Sequence, residues 1–143
     1  RGNALIAYRL LTNEHLGSFY NMKKHGATTL WEIWQGYRSH SHPMFGAVVR
    51  YLFQYLLGIR QREGSAGFEQ IVIQPCFVAG LNRLKGHITT PKGMVAVSIQ
   101  KNDIETMVEI TLENEMDAFF LFEAQKFELH KGLNRIPLQK IVY

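Results

Sequence analysis

The sequence contains a single cysteine, Cys76, in 143 residues. One thiol cannot form an intrachain disulfide, and it cannot supply the several thiolates of a cysteine-rich metal cluster. The cysteine count does not decide the cellular compartment. A small fold held together by disulfides is therefore excluded, and stability must come from apolar side chains, which make up 46% of the residues.

Long apolar runs are also absent. The most apolar window, residues 44–59, is interrupted by Arg50 and Gln54, and it falls short of the roughly 20 residues that span a bilayer. We therefore predict no membrane-spanning helix. The sequence opens on Arg1 without an initiator methionine or a signal-peptide pattern, so we expect it to be a piece of a longer protein.

Basic residues are not concentrated in any run, although the formal net charge is +4. Residues 1–65 hold eight Lys and Arg and three acids, a net of +5, whereas residues 66–143 hold eight and nine, a net of −1. The basic residues of the first part are scattered and form no stripe at helical spacing. This pattern argues against a nucleic-acid partner.

The period of the apolar residues changes near residue 65 and predicts two parts, residues 1–64 and 65–143. In the first part, residues 4–11 and 19–22 have helical spacing, and Phe45–Leu57 is apolar on nearly every face. Ser41 and Pro43 supply a capping hydroxyl and a proline suited to the first helical position. We expect three helices here, joined to the second part by residues 58–67.

The second part alternates apolar and polar residues with period two, as strands do. Val95, Val97 and Ile99 share one strand face, and residues 107–113 repeat the alternation after a turn at 101–103. Further strands are predicted at residues 71–73, 118–122 and 132–138. Six or seven short strands separated by turns indicate an antiparallel β-sandwich, in which the phenylalanines at 119, 120 and 122 fill core and edge positions.

The candidate for chemistry is Glu32, the one charged residue between Gly26 and Trp34 and the neighbour of two indoles, Trp31 and Trp34. A carboxylate beside apolar faces is disfavoured unless it is paired or used, so Glu32 is a candidate for acid or base catalysis. Two readings stay open: a loop carboxylate that accepts backbone N–H bonds, and indoles that belong to the core rather than to a sugar pocket.

Two segments, residues 26–32 and 39–48, resemble the end of the catalytic domain of bacterial α-L-rhamnosidases, glycoside hydrolase family 78. Residues 68–75 are similar to the start of that family's C-terminal β-domain. The resemblance implies the last helices of an (α/α)6 barrel followed by an antiparallel β-sandwich. It also implies inverting hydrolysis of terminal α-linked rhamnose.

By that resemblance Glu32 is the general base, and Trp31 faces the sugar pocket. His42 matches a family histidine expected to contact the bound sugar, whereas His40 stands where the family often has an apolar residue. A base beside indoles needs partners that hold it ionised, and Arg38 and His42 are the nearest candidates in the sequence. The predicted site is therefore catalytic Glu32 with substrate-binding residues, namely Trp31, Trp34, Arg38 and His42.

The resemblance places the general acid upstream of this sequence. Glu14 and Glu63 are the other carboxylates of residues 1–64, and neither stands in a matching motif. We therefore expect the 143 residues alone to be inactive and to need the remainder of the catalytic barrel as a partner. The apolar segment 45–57 would be uncovered without it, so self-association of the fragment is also expected.

Other functions find less support in the residues. The pair His40 and His42 has no third ligand nearby at conventional spacing, so we predict no metal and no cofactor. No serine lies in a Gly-x-Ser-x-Gly elbow. Two alternatives remain: a noncatalytic carbohydrate-binding or interaction module, and a helical-barrel glycosidase that acts on another sugar.

Overall fold

A computed structural model describes residues 3–139 and 141. The chain divides into two compact units, residues 1–50 and residues 51–143. The domain boundary predicted at residues 64 and 65 stays a prediction, and each unit is described by itself below.

The first unit begins with two short helices, α1 (Ala4–Thr12) and α2 (Phe19–Lys24), which confirm the first two predicted helices. Ser18 is the N-cap of α2, and its hydroxyl accepts a hydrogen bond from the amide of Asn21 at 2.9 Å. This side-chain bond satisfies one of the free N–H groups at the helix start. Ser18, Asn21 and Met22 are buried, so one side of α2 packs into the interior of the unit.

The third predicted helix is present but changes pitch along its length. It starts as a 3₁₀-helix over Pro43–Gly46, continues as α3 (Ala47–Tyr51) and ends as a π-helical segment over Leu52–Leu56. The cap predicted from Ser41 is wrong: His42 occupies the N-cap position, and its side chain makes no capping hydrogen bond. Pro43 does lie at the start of the helix, where its missing N–H leaves no bond unmade.

The described residues of the second unit form eight strands: β1 (Ile59–Gln61), β2 (Gln70–Ile73), β3 (Arg83–Thr90), β4 (Gly93–Lys101), β5 (Glu105–Leu112), β6 (Asp117–Phe122), β7 (Gln125–Glu128) and β8 (Gly132–Gln139). These strands make two four-stranded sheets. The first sheet has the order β1-β2-β6-β7 and the second β3-β4-β5-β8.

One strand pairing departs from the predicted antiparallel arrangement. Strands β2 and β6 pair in parallel, with Ile73 opposite Phe120, while the other pairings are antiparallel. Parallel neighbours need a long crossover, and here the chain between β2 and β6 forms three strands of the other sheet. The second unit therefore has one antiparallel sheet, β3-β4-β5-β8, and one mixed sheet, β1-β2-β6-β7.

The inward faces of the two sheets form one core. Val95 and Val97 of β4 are fully buried, as are Val108 and Ile110 of β5, because alternate side chains of a strand point to the same face. Phe120 contributes the largest fully buried side chain. The alternation in the sequence thus predicts the buried face of each of these two strands.

Exposed apolar side chains bear on the helical-barrel prediction, and helix length bears on the membrane prediction. Large apolar side chains of the first unit are exposed on α1 and on the segment that starts at Pro43: Leu5, Ile6, Leu10, Met44, Phe45 and Val49. The assignment of this unit to the end of a helical barrel stays a proposal. None of the helical segments in the described part of the chain has the length and apolar content that crossing a membrane requires.

Candidate functional site

The predicted site residues lie on one loop of the first unit, residues 30–42, which we call the Glu32 loop. The loop folds back on itself through two backbone hydrogen bonds. The amide of Glu32 donates to the carbonyl of Ser39 at 2.8 Å, and the amide of His42 donates to the carbonyl of Leu30 at 2.7 Å. The predicted site residues are therefore brought together by a closed loop between α2 and the helix that starts at Pro43.

The carboxylate of Glu32 has a partner on each oxygen. The Arg38 guanidinium lies 3.7 Å from Oε1, and the backbone amide of Ser39 donates to Oε2 at 3.4 Å. Both contacts orient the carboxylate within the loop. The Glu32 side chain is still 32% exposed, so solvent reaches an oxygen that is held in place.

Trp31, the residue before Glu32, is buried at 9% exposure. Its amide donates to the sulfur of Met22 at 3.4 Å. One face of the indole stacks on the ring of His40, with centroids 4.5 Å apart and an angle of 16° between planes. Gly36 also lies against the indole, where an added methyl group would come within 2.6 Å of Cζ3. The indole is thus packed inside the loop, and its predicted contact with sugar stays a prediction.

Trp34 is the more accessible of the two indoles, with 38% of its surface exposed. It makes an edge contact with Phe19, at 5.3 Å between centroids and 82° between planes. Tyr37, at the far end of the loop, is exposed as well. An exposed ring of this kind can cover the C–H face of a sugar, so Trp34 has the geometry that its predicted role needs.

Of the two residues predicted to hold Glu32 ionised, Arg38 contacts its carboxylate. The ring of His42 stacks instead on Phe45, with centroids 5.3 Å apart. His42 is half-buried at the end of the loop, and its predicted contact with a sugar stays a prediction.

Sequence reasoning did not find two of the contacts that build the loop. The backbone amide of Ser39 carries no side-chain signal, and it reaches Glu32 because the loop pairs with itself. His40 makes a second contact of this kind, because its Nε2 lies 2.6 Å from the carbonyl oxygen of Gly36. Glycine next to an aromatic residue is a signal that could have found this close packing.

The loop can accept a proton but holds only one carboxylate. Inverting glycosidases use two carboxyl groups about 6.5–9.5 Å apart, one acid and one base. Glu14, the other carboxylate of the first unit, forms an ion pair with Lys24 at 3.1 Å. Across residues 3–139 and 141, no group of three or more His, Cys, Asp or Glu side chains is placed to hold a metal ion.

Family models and individual proteins match this chain. The bacterial alpha-L-rhamnosidase 6 hairpin glycosidase domain matches residues 1–56, and the bacterial alpha-L-rhamnosidase C-terminal domain matches residues 58–116. An alpha-L-rhamnosidase from Alteromonas sp. (strain LOR) is 28% identical over 84% of this chain, and the chain covers 14% of that protein.

Solved structures give the same match. The alpha-L-rhamnosidase from Dictyoglumus thermophilum is 25% identical, with a TM-score of 0.78 over 95% of this chain and 19% of its own. The Streptomyces avermitilis alpha-L-rhamnosidase complexed with L-rhamnose shares the fold, with a TM-score of 0.81 at 20% identity over 96% of this chain and 16% of its own. The chain therefore spans less than a fifth of these relatives.

Proposed function

This chain belongs to the family of bacterial alpha-L-rhamnosidases and corresponds to a C-terminal portion of it, and we propose that it supplies the general base of an inverting glycosidase. In this proposal the longer protein removes terminal α-L-rhamnose from oligosaccharides or other glycosides. The observation that carries the proposal is the carboxylate of Glu32, which contacts Arg38 and the Ser39 amide yet remains open to solvent.

Glu32 takes a proton from water as that water attacks the anomeric carbon. A general base must be ionised before the reaction and must reach the water within hydrogen-bonding distance. The partial exposure of the Glu32 side chain allows the second condition to be met. The general acid that protonates the leaving oxygen belongs to another part of the longer protein, because the Glu32 loop contains no second carboxylate.

Substrate contacts come from the other predicted residues of the same loop. Trp34 covers the apolar face of the sugar. Trp31 supports the loop from inside and contacts the sugar with the edge of its indole. The Arg38 side chain is 62% exposed, so its guanidinium can donate to sugar hydroxyls as well as to Glu32. His42 contributes a ring nitrogen to the sugar.

The second unit has a structural role and takes no part in the reaction. Among its described residues, the fully buried side chains are apolar apart from that of Thr106. This composition is typical of a structural domain. The 143 residues alone are inactive in this proposal, because one carboxylate of the required pair is absent from the Glu32 loop.

The stereochemistry of the product tests the reaction class. The longer protein containing this chain is given an aryl α-L-rhamnoside, and the released sugar is followed by proton NMR before it mutarotates. We expect the β-anomer first, since attack by water from the opposite face inverts the centre. The α-anomer appearing first would contradict the role of Glu32, and binding without hydrolysis would favour a noncatalytic carbohydrate-binding module.

A further inference from the structure

The proposed function gives no role to His40, yet its ring makes two specific contacts inside the Glu32 loop. Nε2 lies 2.6 Å from the carbonyl oxygen of Gly36, and the ring stacks on Trp31 with centroids 4.5 Å apart. A carbonyl oxygen can only accept, so Nε2 must carry the proton in this bond. The geometry thus defines the tautomer of His40 as well as its position.

The hydrogen bond between His40 and Gly36 closes a short bridge around three residues, 37–39. Those three include both groups that contact the carboxylate of Glu32, the Arg38 guanidinium and the Ser39 amide. Their positions therefore depend on the two ends of the bridge, which are the carbonyl of Gly36 and the ring of His40.

The stacking contact connects this bridge to the chain on the other side of the loop. Trp31 immediately precedes Glu32, and its buried indole contacts both the ring of His40 and Gly36. A stacked aromatic pair contributes about 0.5–1.5 kcal/mol beyond its burial. One side chain thus links the residue next to the carboxylate with the segment that holds the carboxylate.

We propose that His40 is a positioning residue for the general base: it fixes Arg38 and the Ser39 amide against Glu32. This inference rests on the proposed function, in which Glu32 is the base. The bond needs an N–H at the position of Nε2, and the stack needs a flat ring. A replacement that keeps only one of these should therefore lose part of the effect.

The kinetic test uses His40→Phe, which keeps a ring without a donor, and His40→Gln, which keeps an N–H donor without the ring. In the longer enzyme, we expect His40→Phe to lower kcat by about tenfold or more, because small displacements of catalytic groups are costly. KM should change by less than about threefold, since ground-state binding is retained. His40→Gln should recover about half or more of the lost rate on a logarithmic scale, because donation to a carbonyl is restored.

The matched control is His25→Phe. His25 Nδ1 lies 2.8 Å from the carbonyl oxygen of Asn21, so this variant loses the same kind of bond from a different place in the unit. We expect its kcat to equal that of the parent. Equal losses in His25→Phe and His40→Phe, or a His40→Phe enzyme with unchanged kcat, would overturn the inference.

A double variant separates failure of this inference from failure of the proposed function. If His40 acts through Glu32, adding His40→Phe to Glu32→Gln should leave the residual rate unchanged, because coupled residues are not additive. A further full loss would show that His40 acts elsewhere and overturn the inference. If Glu32→Gln itself keeps its turnover, the proposed function is wrong.

Nitrogen NMR of the His40 ring provides a readout that does not depend on activity. At neutral pH, Nε2 should carry the proton that it donates to the carbonyl oxygen of Gly36. A His40 ring protonated only at Nδ1 would overturn the inference, whatever the kinetic results.

Discussion

At the scale of single residues, the carboxylate of Glu32 is held more by geometry than by strong binding energy. Its ion pair with Arg38 spans 3.7 Å, and the Arg38 side chain is largely exposed. Exposed ion pairs contribute about 0–1 kcal/mol to stability. Their value at this site is orientation, because the pair and the Ser39 amide fix both oxygens of a group that solvent can reach.

Gly36 gives a residue-scale prediction about the loop. It has a φ of +76°, and an added methyl group would lie 2.6 Å from the Trp31 ring. We expect Gly36→Ala to destabilise the first unit by about 1–2 kcal/mol from backbone strain and further by displacing the indole. The free energy of unfolding and the fluorescence of the tryptophans are the measurements.

Gly17→Ala is the control for that experiment. Gly17 has a φ of +96° and no atom within 4 Å of an added methyl group, so it reports backbone strain alone. The fluorescence should change in Gly36→Ala and not in Gly17→Ala. Identical destabilisation and identical spectra in the two variants would show that the indole does not pack on Gly36.

The sequence predicts one side-chain contact of the site but not the contacts that depend on how the loop closes. The contact between Glu32 and Arg38 could be predicted, because the two residues are near in sequence and opposite in charge. The contact from the Ser39 amide could not, since it depends on the loop pairing with itself through Glu32. The stacking of His40 on Trp31 was missed for the same reason: a one-dimensional pattern does not show which rings a closed loop brings together.

At the scale of elements, strand prediction succeeded where side chains alternate and failed where strands are short or strongly charged. β4 and β5 carry runs of buried β-branched residues on one face. β1 has three residues and was read as part of the connection. β3 has charged and polar residues on its outer face and a glycine at 86 on its inner face, which weakens the apolar alternation.

The parallel pairing of β2 with β6 could not be read from local sequence. Its register joins Gln70 with Asp117, and the intervening chain forms three strands of the other sheet. A turn sequence between two neighbouring strands indicates a hairpin, whereas a pairing between distant strands has no such signal. The antiparallel expectation therefore failed at the pair whose two strands are joined through three strands of the other sheet.

Gly58 gives a prediction at the junction between the π-helical segment and β1. Its φ is +77°, and an added methyl group would lie 2.2 Å from the carbonyl carbon of Gln74. Backbone cannot move aside as the end of a side chain can, so we expect Gly58→Ala to destabilise the second unit by more than about 3 kcal/mol. Chemical denaturation followed by circular dichroism measures the change.

Gly64→Ala is the matched variant for that junction, because Gly64 has a φ of +83° with no atom within 4 Å of an added methyl group. It should cost about 1–2 kcal/mol. If Gly58→Ala costs no more than Gly64→Ala, the close approach of the two backbone segments is absent in solution.

At the scale of the whole molecule, the chain matches less than a fifth of its relatives' length, and its first unit exposes apolar side chains. Ile6 and Leu10 lie four residues apart on α1, each 57% exposed, so they form one face. Large exposed apolar patches drive association. We predict that the isolated chain self-associates in sedimentation experiments and binds a hydrophobic dye.

Replacing Ile6 and Leu10 together by lysine should shift this association toward monomer, because charges on an apolar face oppose its burial. Replacing two exposed polar residues of the second sheet, Thr89 and Gln100, by lysine adds the same charge away from α1 and should leave association unchanged. A parent chain that sediments as a monomer without dye binding would contradict the prediction.

The whole account depends most directly on Glu32, and the deciding measurement is kcat of the longer enzyme with Glu32→Gln against Glu14→Gln. Both variants remove one carboxylate charge from an ion pair of the first unit. We predict that Glu32→Gln lowers kcat by about 10²–10⁴-fold, the usual contribution of a general base, while Glu14→Gln leaves it unchanged. Equal turnover in the two variants would contradict the assignment of Glu32 as the base.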